Sequence, residues 1–375
     1  MPSKQPQSRT TTKRQIRYAV IGLGHIAQVA VLPAFANAQN AKLAALVSGD
    51  SAKLKKLERK YRVPGFSYES FETCITECDI DAVYIALPNH MHCEYTLRAA
   101  AMGVHVLCEK PMATTEEECS KMIRAMDEAQ MKLMIAYRLH FEKANLDAAE
   151  LVQSGKLGEP RLFSSVFSQQ VEAGNIRLLA ETGGGTLWDV GIYCINAARY
   201  LFRAEPTEVL AITASKGEKR FAESEEMAAA ILRFPGERLA QLACSFGGAS
   251  TNSYRVVGTR GDLRVEPAFN YVGELRQHIT INGKTRDRAY EPRDQFAAEL
   301  VYFSDCVIRD RQPEPSGLEG LIDVRIIQAL YQSAATGQPV KLDPVIRQRR
   351  PTRKQAIRRP PHREPETIHV APPSG

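Results

Sequence analysis

The chain has 375 residues, 44% of them hydrophobic and 25% charged, which is typical of a globular enzyme with more than one domain. No apolar run reaches the roughly 18 residues that a membrane-spanning helix requires, and the basic residues 1–17 lack the apolar core of a secretory signal, so we expect a cytoplasmic protein. The net charge of +6 lies at the ends, because residues 1–17 carry +5 and residues 341–375 carry +6, which leaves −5 for the body between them. This distribution argues against nucleic-acid binding by the folded body.

The first half of the chain alternates short apolar strands with helical segments. Such alternation predicts an α/β fold with a parallel, doubly wound sheet, and we assign residues 17–138 to a dinucleotide-binding Rossmann domain. The predicted strands cover residues 17–21, 43–48, 82–87, 104–108 and 132–137, and the predicted helices cover residues 92–102 and 115–130.

A glycine turn follows the first strand. Gly22-Leu23-Gly24-His25-Ile26-Ala27 fits the pattern G-x-G-x-x-G/A, in which the first glycine makes a tight turn and the second lets a pyrophosphate approach the backbone. The phosphate would then lie at the N-terminus of the next helix, where free N–H groups and the helix dipole favour anions. The motif therefore predicts cofactor binding by Gly22, Gly24, His25 and Ile26.

The end of the second strand indicates which dinucleotide is bound. An acid there would hold the ribose of NAD and repel a 2′-phosphate. This chain has Ser48 at the strand end and Lys53 in the next helical turn, a hydroxyl and an ammonium that suit the 2′-phosphate of NADP. Asp50 lies between them and would favour NAD, so NADP is the predicted cofactor and NAD the alternative.

Three further strands end in polar residues, at the edge where ligands bind in an open α/β sheet. The residues at these ends are Leu87 and Asn89, Glu109 and Lys110, and Arg138. We predict that all five line the cofactor site. Lys110 precedes a proline, which holds it extended, so its side chain is expected to point into the crevice. The alternative is a surface lysine beside Glu109.

Beyond residue 138 the pattern changes to closely spaced strands followed by two helices. These strands predict an antiparallel sheet with helices on one face, hence an α+β domain over residues 139–342 for substrate binding and oligomerisation. The predicted strands cover residues 162–171, 209–215, 228–234, 239–246 and 254–265, and the predicted helices cover residues 292–309 and 317–336.

Both ends of the chain are basic. We expect residues 1–16 to be a flexible arm and residues 343–375, rich in Arg, Gln and Pro, to be a disordered tail. The tail could be solvated, contact a neighbouring subunit or bind nucleic acid electrostatically. It lacks, however, the aromatic side chains on which the bases of single-stranded nucleic acids stack. Nucleic-acid and membrane partners are therefore not predicted.

The eight cysteines show neither a CxxC pair nor a metal-binding Cys/His spacing. Cys74 and Cys78 have the spacing of one helix face, but neither a histidine nor a further cysteine lies near them in the sequence. We therefore predict reduced thiols, several of them buried, and no metal site.

The middle of the chain contains the stretch GGGTLWDVGIY, residues 183–193, in which three glycines lead into an apolar helix. Asp189 has a structural explanation, because Thr186-x-x-Asp189 has the pattern of a capping box with Thr186 as N-cap. Capping does not explain Tyr193, which lies one turn later on the same face. Asp189, Tyr193, Asn196 and Tyr200 form a polar stripe with little charge around it, which favours an enclosed cleft over a solvated surface.

Together these motifs resemble the Gfo/Idh/MocA oxidoreductases, and within that family the glucose–fructose oxidoreductase branch. The similarity extends over residues 17–340 and rests on the glycine turn, Ala45-Leu-Val-Ser-Gly49, Asp81-Ala-Val-Tyr-Ile85, Glu109-Lys110-Pro111-Met112-Ala113, Leu133-Met-Ile-Ala-Tyr-Arg138 and Asp189-Val-Gly-Ile-Tyr193. The resemblance implies a Rossmann domain followed by a domain with a mostly antiparallel open sheet. It also implies oxidation of a sugar at C1, and homodimers or homotetramers that we expect to form through the second-domain sheet.

The resemblance also implies roles for single residues. Lys110, Asp189 and Tyr193 match the family's catalytic residues, with Tyr193 as the acid/base, while Ser48 and Lys53 match residues that hold the 2′-phosphate. Tyr193 stands where inositol-dehydrogenase-like members have histidine, which indicates the aldose branch. Weaker candidates for substrate contacts are Arg138, His140 and Arg177.

Oxidation of a sugar hydroxyl requires a base for its proton. Free tyrosine has a pKa of about 10, so a tyrosine base needs a stabilised anion, and we expect the Lys110 ammonium to supply this. Asp189 would then bind a sugar hydroxyl or orient Lys110. We predict an NADP-dependent dehydrogenase acting at C1 of a glucose- or xylose-like aldose. One alternative is an aldose–ketose transhydrogenase that keeps NADP bound. The other is a non-catalytic NADP-binding regulator, but the presence of Lys110, Asp189 and Tyr193 together argues against it.

Overall fold

A computed structural model describes residues 14–347, 349–370 and 372 of the chain. The predicted basic arm, residues 1–16, lies largely outside the described residues and stays a prediction. Among the described residues, no helix is both long and apolar enough to cross a membrane.

The first sheet is parallel throughout and has the order β3-β2-β1-β4-β5-β6, which confirms the predicted doubly wound Rossmann sheet. Alternate residues of its strands enter two separate hydrophobic clusters, one on each face of the sheet. The strands are β1 (Ile16–Ile21), β2 (Ala41–Val47), β3 (Gly65–Phe66), β4 (Ala82–Ile85), β5 (His105–Cys108) and β6 (Leu133–Ile135).

Helices cover both faces of the first sheet. A π-helical turn, Ala27–Val31, opens directly after the glycine turn. The α-helices are α1 (Leu32–Ala34), α2 (Ser51–Tyr61), α3 (Phe71–Glu77), α4 (His92–Ala101) and α5 (Glu116–Glu128). Thr115 and Glu118 form a capping box that fixes the start of α5.

The second sheet has nine strands in the order β14-β13-β12-β11-β7-β10-β9-β8-β15. Neighbouring strands are antiparallel except β7 and β10, which run parallel, so the mostly antiparallel sheet is confirmed. The strands are β7 (Pro160–Ser168), β8 (Glu208–Ala214), β9 (Met227–Phe234), β10 (Arg238–Ser245), β11 (Thr251–Gly258), β12 (Gly261–Val265), β13 (Leu275–Ile281), β14 (Lys284–Tyr290) and β15 (Val340–Lys341).

Two strand predictions need correction. The single strand expected over residues 254–265 is the hairpin β11–β12, because the chain reverses at Arg260-Gly261. The pair β13–β14 was not predicted, since β14 reads KTRDRAY and pairs only at the edge of the sheet, where six of its seven residues are exposed and show no apolar alternation.

Four α-helices follow residue 138 in the part of the chain that the structure describes. A π-helical turn, Leu187–Gly191, leads into one of them. They are α6 (Lys143–Gln153), α7 (Ile192–Phe202), α8 (Gln295–Ile308) and α9 (Gly317–Thr336). Helix α8 packs on the first sheet, where the Ser304 hydroxyl lies 2.8 Å from the Tyr18 hydroxyl, so the second half of the chain completes one face of the first domain. Short 3₁₀ turns span Phe35–Asn37, Asn89–Met91, Arg138–His140, Ile176–Leu178, Ala180–Thr182, Lys219–Phe221 and Arg353–Gln355.

The prediction of a disordered tail from residue 343 is wrong for the described residues. Arg347 and Arg350 have side chains only 3% and 9% exposed, and they pair with Glu314 at 2.6 Å and with Glu205 at 2.8 Å. The tail then continues along the body through the 3₁₀ turn at Arg353–Gln355. Composition predicts disorder because the segment is basic and poor in apolar residues, but the acidic body neutralises those charges and holds the segment in place.

The cysteines agree with the prediction of buried thiols. All eight are buried and unpaired. Across the described ranges, no group of three or more His, Cys, Asp or Glu side chains is arranged to hold a metal ion.

Candidate active site

A cavity of about 1100 Å³ opens between the carboxyl ends of the first sheet and the second domain. Its position follows from topology, since the carboxyl ends of parallel strands meet at one edge of the sheet. All the predicted cofactor and catalytic residues line it, namely Gly22, Gly24, His25, Ile26, Ser48, Lys53, Leu87, Asn89, Glu109, Lys110, Arg138, Asp189 and Tyr193. Of the weaker substrate candidates, Arg177 lines the cavity and His140 does not.

The two glycines of the turn are needed for different reasons. Gly22 has φ +89°, and a methyl group added there would lie 2.5 Å from the carbonyl oxygen of Ala86, so the fold itself requires glycine. Gly24 has no protein atom within 4 Å of the same position. The space beside Gly24 belongs to the cavity, as expected where a pyrophosphate approaches the backbone.

Asp50 is engaged within its own helix turn. Its carboxylate accepts a 2.9 Å hydrogen bond from the backbone of Lys53 as N-cap of α2, and this bond lowers the pKa of Asp50. The Lys53 ammonium lies 3.8 Å from the other carboxylate oxygen, and the hydroxyl of the buried Ser48 accepts from the Asp50 backbone at 3.2 Å. The corner therefore presents three groups to the cavity: an ionised carboxylate whose charge is offset by Lys53 and the helix N-terminus, the Ser48 hydroxyl and the Lys53 ammonium.

The strand ends beside the cavity are tied to their surroundings. Glu109 accepts a 2.8 Å hydrogen bond from the buried Tyr84 hydroxyl, and burial raises the pKa of Glu109 against the opposing charge of Lys110. The Asn89 side chain donates a 2.8 Å bond to the carbonyl of Gly183. This bond ties the first domain to the glycine stretch of the second.

All three glycines of the stretch are tightly packed. An added methyl group would lie 2.7 Å from Thr114 at Gly183, 2.4 Å from the backbone of Arg177 at Gly184, and 2.4 Å from the Tyr331 hydroxyl at Gly185. The triple glycine lets three segments of chain converge beside the cavity, which is why it precedes the site helix.

The capping-box interpretation of Asp189 is wrong. Thr186 has helical backbone angles and makes no cap, because the helix opens with the π-helical turn Leu187–Gly191. Glu225, which follows β8 in the chain, serves this helix end instead. It accepts 2.6 Å bonds from both the backbone and the hydroxyl of Thr186. Asp189 is therefore free to act in the cavity.

Asp189 joins two cations. Its carboxylate lies 3.2 Å from the Lys110 ammonium and 2.8 Å from the Arg177 guanidinium, and it accepts a further 3.2 Å bond from the Gln169 amide. The Lys110 ammonium also donates to the Asp189 carbonyl at 2.7 Å. Burial opposes the charge of Asp189, but Arg177 and Lys110 outweigh it and hold its pKa well below the usual range. The carboxylate is thus ionised, with one hydrogen bond to Oδ1 and two to Oδ2.

The same arrangement keeps Lys110 charged. Burial alone would lower the pKa of Lys110, but the neighbouring Tyr193, Asp189 and Glu109 reverse this and raise it. Its ammonium stays protonated at neutral pH and lies 4.8 Å from the centre of the Tyr193 ring.

The Tyr193 ring is held by aromatic and cationic neighbours. The rings of Phe167 and Phe269 lie with their centres 5.6 and 5.8 Å away. The Arg138 guanidinium lies 5.0 Å from the ring centre, in addition to Lys110. A tyrosine held beside the Lys110 ammonium and the Arg138 guanidinium, in a cavity large enough for a dinucleotide, is suited to exchange a proton with a ligand.

The rest of the predicted polar stripe does not reach the cavity. Asn196 and Tyr200 are buried, and the Asn196 oxygen lies 2.8 Å from the imidazole of His140. His140 is itself buried behind the site, and burial lowers its pKa to about 3, so it is a neutral core residue. The weak prediction of His140 as a substrate contact is therefore wrong, because the stripe continues past the cleft into the domain core.

Other cavity residues were not found from the sequence. Gln169 supports Asp189, and Tyr271 stacks near Arg138 at 5.5 Å. Glu364 reaches the cavity from the tail. A lone glutamine, a lone tyrosine and an acid in a basic tail carry no local pattern, and only the tertiary fold brings them to the site.

Comparison with protein families agrees with this geometry. The family model described as "Oxidoreductase family, NAD-binding Rossmann fold" matches residues 16–137, and the "GFO/IDH/MocA C-terminal domain" matches residues 145–264. The chain belongs to the Gfo/Idh/MocA oxidoreductase family. This confirms the resemblance that its motifs suggested.

Relatives with assigned activities act on sugars. A D-xylose 1-dehydrogenase [NADP(+)] of Haloarcula marismortui is 32% identical over 345 residues, covering 90% of this chain and 96% of the relative. The crystal structure of an aldose–aldose oxidoreductase from Caulobacter crescentus complexed with glycerol has a TM-score of 0.84 at 39% identity, covering 88% of this chain and 100% of that one. The crystal structure of a 3-ketoreductase from Actinomadura kijaniata, in complex with NADP and TDP-benzene, has a TM-score of 0.79 at 26% identity, covering 85% of this chain and 98% of that one.

Proposed function

We propose that the protein oxidises an aldose at C1, with NADP as hydride acceptor and Tyr193 as the base. The observation that carries this proposal is the Lys110–Asp189–Arg177 cluster packed against Tyr193, in the cavity that also contains the glycine turn. A glucose- or xylose-like sugar is the proposed substrate class, in keeping with the xylose dehydrogenase and aldose oxidoreductase among the relatives.

The residues present fit NADP. The open space beside Gly24 admits a pyrophosphate, and Ser48 and Lys53 offer a hydroxyl donor and a cation for a 2′-phosphate. When bound, NADP supplies the hydride acceptor, which the protein's own side chains lack. The xylose dehydrogenase relative is named for NADP and the ketoreductase structure contains it.

The side chains then divide the remaining work. The Lys110 ammonium is placed to stabilise Tyr193 as the phenolate, and this phenolate takes the proton of the C1 hydroxyl and becomes the neutral phenol. Asp189 Oδ1 accepts from Lys110 and Oδ2 accepts from Arg177 and Gln169, so we assign Asp189 the role of a positioning residue that holds Lys110 and Arg177. Arg177 and Gln169 are the donors placed to contact sugar hydroxyls.

A substitution at Tyr193 tests this role. Tyr193→Phe removes the hydroxyl and keeps the ring between Phe167 and Phe269, so NADP binding and thermal stability should persist while kcat falls about 10²- to 10⁴-fold. Activity is followed at 340 nm with NADP and a panel of aldoses. Tyr61→Phe, on α2 outside the cavity, is the matched control and should keep full activity. Turnover retained by Tyr193→Phe on every aldose would exclude this tyrosine as the base.

A second candidate function is hydride transfer between two sugars with the dinucleotide kept bound. The observation that favours it is the tail, because Glu364 and Pro372 line the cavity together with the glycine turn. In the net reaction one aldose is oxidised to its lactone and a second sugar is reduced at its carbonyl group, so the hydride and proton lost by the first are gained by the second. Turnover of two sugars without added NADP distinguishes this function from a dehydrogenase.

We further propose that the protein forms homodimers or homotetramers through the second sheet. One face of that sheet carries helices, and the other exposes apolar side chains on four adjacent strands, with Ile212 at 70% exposure. A continuous apolar face of this kind is typical of a subunit interface. The exposed residues are Leu162 and Val166 on β7, Ile212 on β8, Met227 and Ile231 on β9, and Leu239 on β10.

A further inference from the structure

The end of the chain returns to the cofactor cavity. Residues 362–370, called the strap below, cross the side of the cavity formed by the glycine turn and the helix after it. Glu364 lines the same cavity as Gly24 and Ser48. The strap is therefore part of the cavity and not only a neighbour of it.

The strap is fixed at its start by His362. One imidazole nitrogen lies 3.0 Å from the Asp294 carboxylate at the start of α8, and the other lies 2.9 Å from the carbonyl of Val29 in the π-helical turn. The hydrogen bond to Asp294 raises the pKa of His362, although burial opposes it and the nearby Glu364 adds a smaller increase.

A buried glutamine holds the middle of the strap. Gln28 is 1% exposed and lies in the helical turn that opens after the glycine turn. Its side-chain oxygen accepts from the backbone N–H of Ile368 at 2.8 Å, and its amide donates to the Ile368 carbonyl at 3.0 Å. The same amide donates to the Leu23 carbonyl at 2.9 Å. The strap backbone is thus bonded to the element expected to face the pyrophosphate.

The last part of the strap reaches the corner expected to hold the 2′-phosphate. His369 has one nitrogen 2.9 Å from the Lys56 ammonium and the other 3.7 Å from the Asp50 carboxylate. With Lys53 on the other side of Asp50, the acid has two basic neighbours. Because an ammonium can only donate, the His369 nitrogen accepts from Lys56, and the strap thereby holds the Lys56 ammonium near the corner formed by Asp50 and Lys53.

We propose that the strap is a component of the NADP site, in which the Gln28–Ile368 pairing closes residues 362–370 over the bound dinucleotide and His369 contributes to 2′-phosphate recognition by holding the Lys56 ammonium at that corner. The strap must then detach before the dinucleotide leaves, so release is slow compared with turnover. This inference rests on the proposed NADP cofactor, and it favours the two-sugar reaction over a dehydrogenase that releases NADPH in each cycle.

The dissociation rate of NADPH tests the closure. Ile368→Pro, made in the full-length protein, removes the N–H that Gln28 binds and disturbs the paired carbonyl beside it. It should release NADPH about 10- to 100-fold faster, as expected for one or two lost hydrogen bonds. Release is followed by NADPH fluorescence after mixing with excess NADP. The control is Ile346→Pro, at a tail residue 89% exposed and before the strap, which should release NADPH at the parent rate.

A second variant tests recognition of the 2′-phosphate. His369→Ala should weaken NADP binding about tenfold in equilibrium titrations and leave NAD binding unchanged, because only NADP carries the extra phosphate. His278→Ala, which removes a histidine paired with Asp287 on the β13–β14 hairpin, is the matched control. An equal loss of NADP and NAD affinity would show that His369 does not recognise the phosphate.

The outcomes separate the two proposals. If the parent protein binds no NADP, the proposed cofactor is wrong and the strap proposal fails with it. If the parent binds NADP but Ile368→Pro releases NADPH at the parent rate, with an unchanged melting temperature, only the strap proposal is overturned. Faster release from Ile368→Pro alone supports it.

Discussion

Asp189→Asn provides the sharpest test of the site, because Asp189 links the two cations, Lys110 and Arg177, that line the cavity. The substitution keeps the shape of the side chain and removes its charge. Lys110 and Arg177, whose side chains are only 11% and 27% exposed, then lose their common counter-charge. Lys110 keeps its bond to the Asp189 carbonyl, so we expect it to stay near the site but to lose its fixed orientation.

The size of the effect follows from the bonds that change. Each charge-assisted hydrogen bond contributes about 1.5–3 kcal/mol, and the Lys110 and Arg177 bonds both weaken. If the contribution of one such bond is lost from the transition state, kcat/KM falls about 10- to 100-fold, since 1.36 kcal/mol corresponds to a factor of ten. The fall should lie mainly in kcat, because the weakened bonds are the ones that orient Lys110 for the proton transfer.

The pH profile shows whether Asp189 acts through Lys110. Asp189 is one of the charges that raise the pKa of Lys110 against the effect of burial. Without it that pKa falls, Lys110 loses its proton at lower pH, and the alkaline limb of kcat/KM moves to lower pH. A purely structural role would lower activity equally at every pH.

The assay compares pH–rate profiles of the parent protein, Asp189→Asn and a matched control. Asp262→Asn suits this purpose, because Asp262 has the same 20% side-chain exposure and also pairs with an arginine, but lies on β12 outside the cavity. Its profile should match that of the parent. The reasoning is refuted if Asp189→Asn keeps kcat/KM within about twofold of the parent value with an unchanged alkaline limb.

Four further variants test other parts of the protein. Gly24→Ala should keep the parent melting temperature and weaken NADP binding at least about tenfold, whereas Gly22→Ala should lower the melting temperature, because only Gly22 is packed against backbone. The raised pKa of His362 means that closing the strap takes up protons, so closure is fully supported below about pH 6.5 and weakens as the pH rises through the raised value. NADPH should therefore dissociate faster with rising pH, and His362→Gln should remove this dependence. Ile212→Glu should convert the oligomer to monomers in light-scattering measurements if the open sheet face is the interface.

Local sequence was informative where a residue's position along a strand fixes its place in the fold. Asn89, Glu109, Lys110 and Arg138 were assigned to one site only because each follows a strand, and all four line the cavity. Parallel strands bring their carboxyl ends to the same edge, so a one-dimensional pattern determines a three-dimensional neighbourhood. The side chains that these four residues contact could not be predicted from strand positions, because they come from distant parts of the chain.

The failures have a common cause in long-range contacts. Thr186 has the local pattern of an N-cap, but Glu225, 39 residues away, serves that helix end instead. His140 follows β6 just as Arg138 does, but it turns into the core toward Asn196. The tail was assigned to disorder from its own composition, whereas its arginines pair with Glu205 and Glu314 of the body. In each case the deciding partner lies far away in the chain.

The same argument explains why Asp50 is a poor guide to cofactor choice. An acid at the end of β2 selects NAD when its carboxylate is free to bind the ribose. Here that carboxylate caps α2 and lies beside Lys53 and His369, the second of which follows it by more than 300 residues. An acid held by a helix N-terminus and by Lys53 repels a phosphate less than a free one, and the Lys56 ammonium that His369 holds adds a positive charge nearby. If this account is right, NADP preference depends on His369, and it should decline in His369→Ala even though β2 and its glycine turn are unchanged.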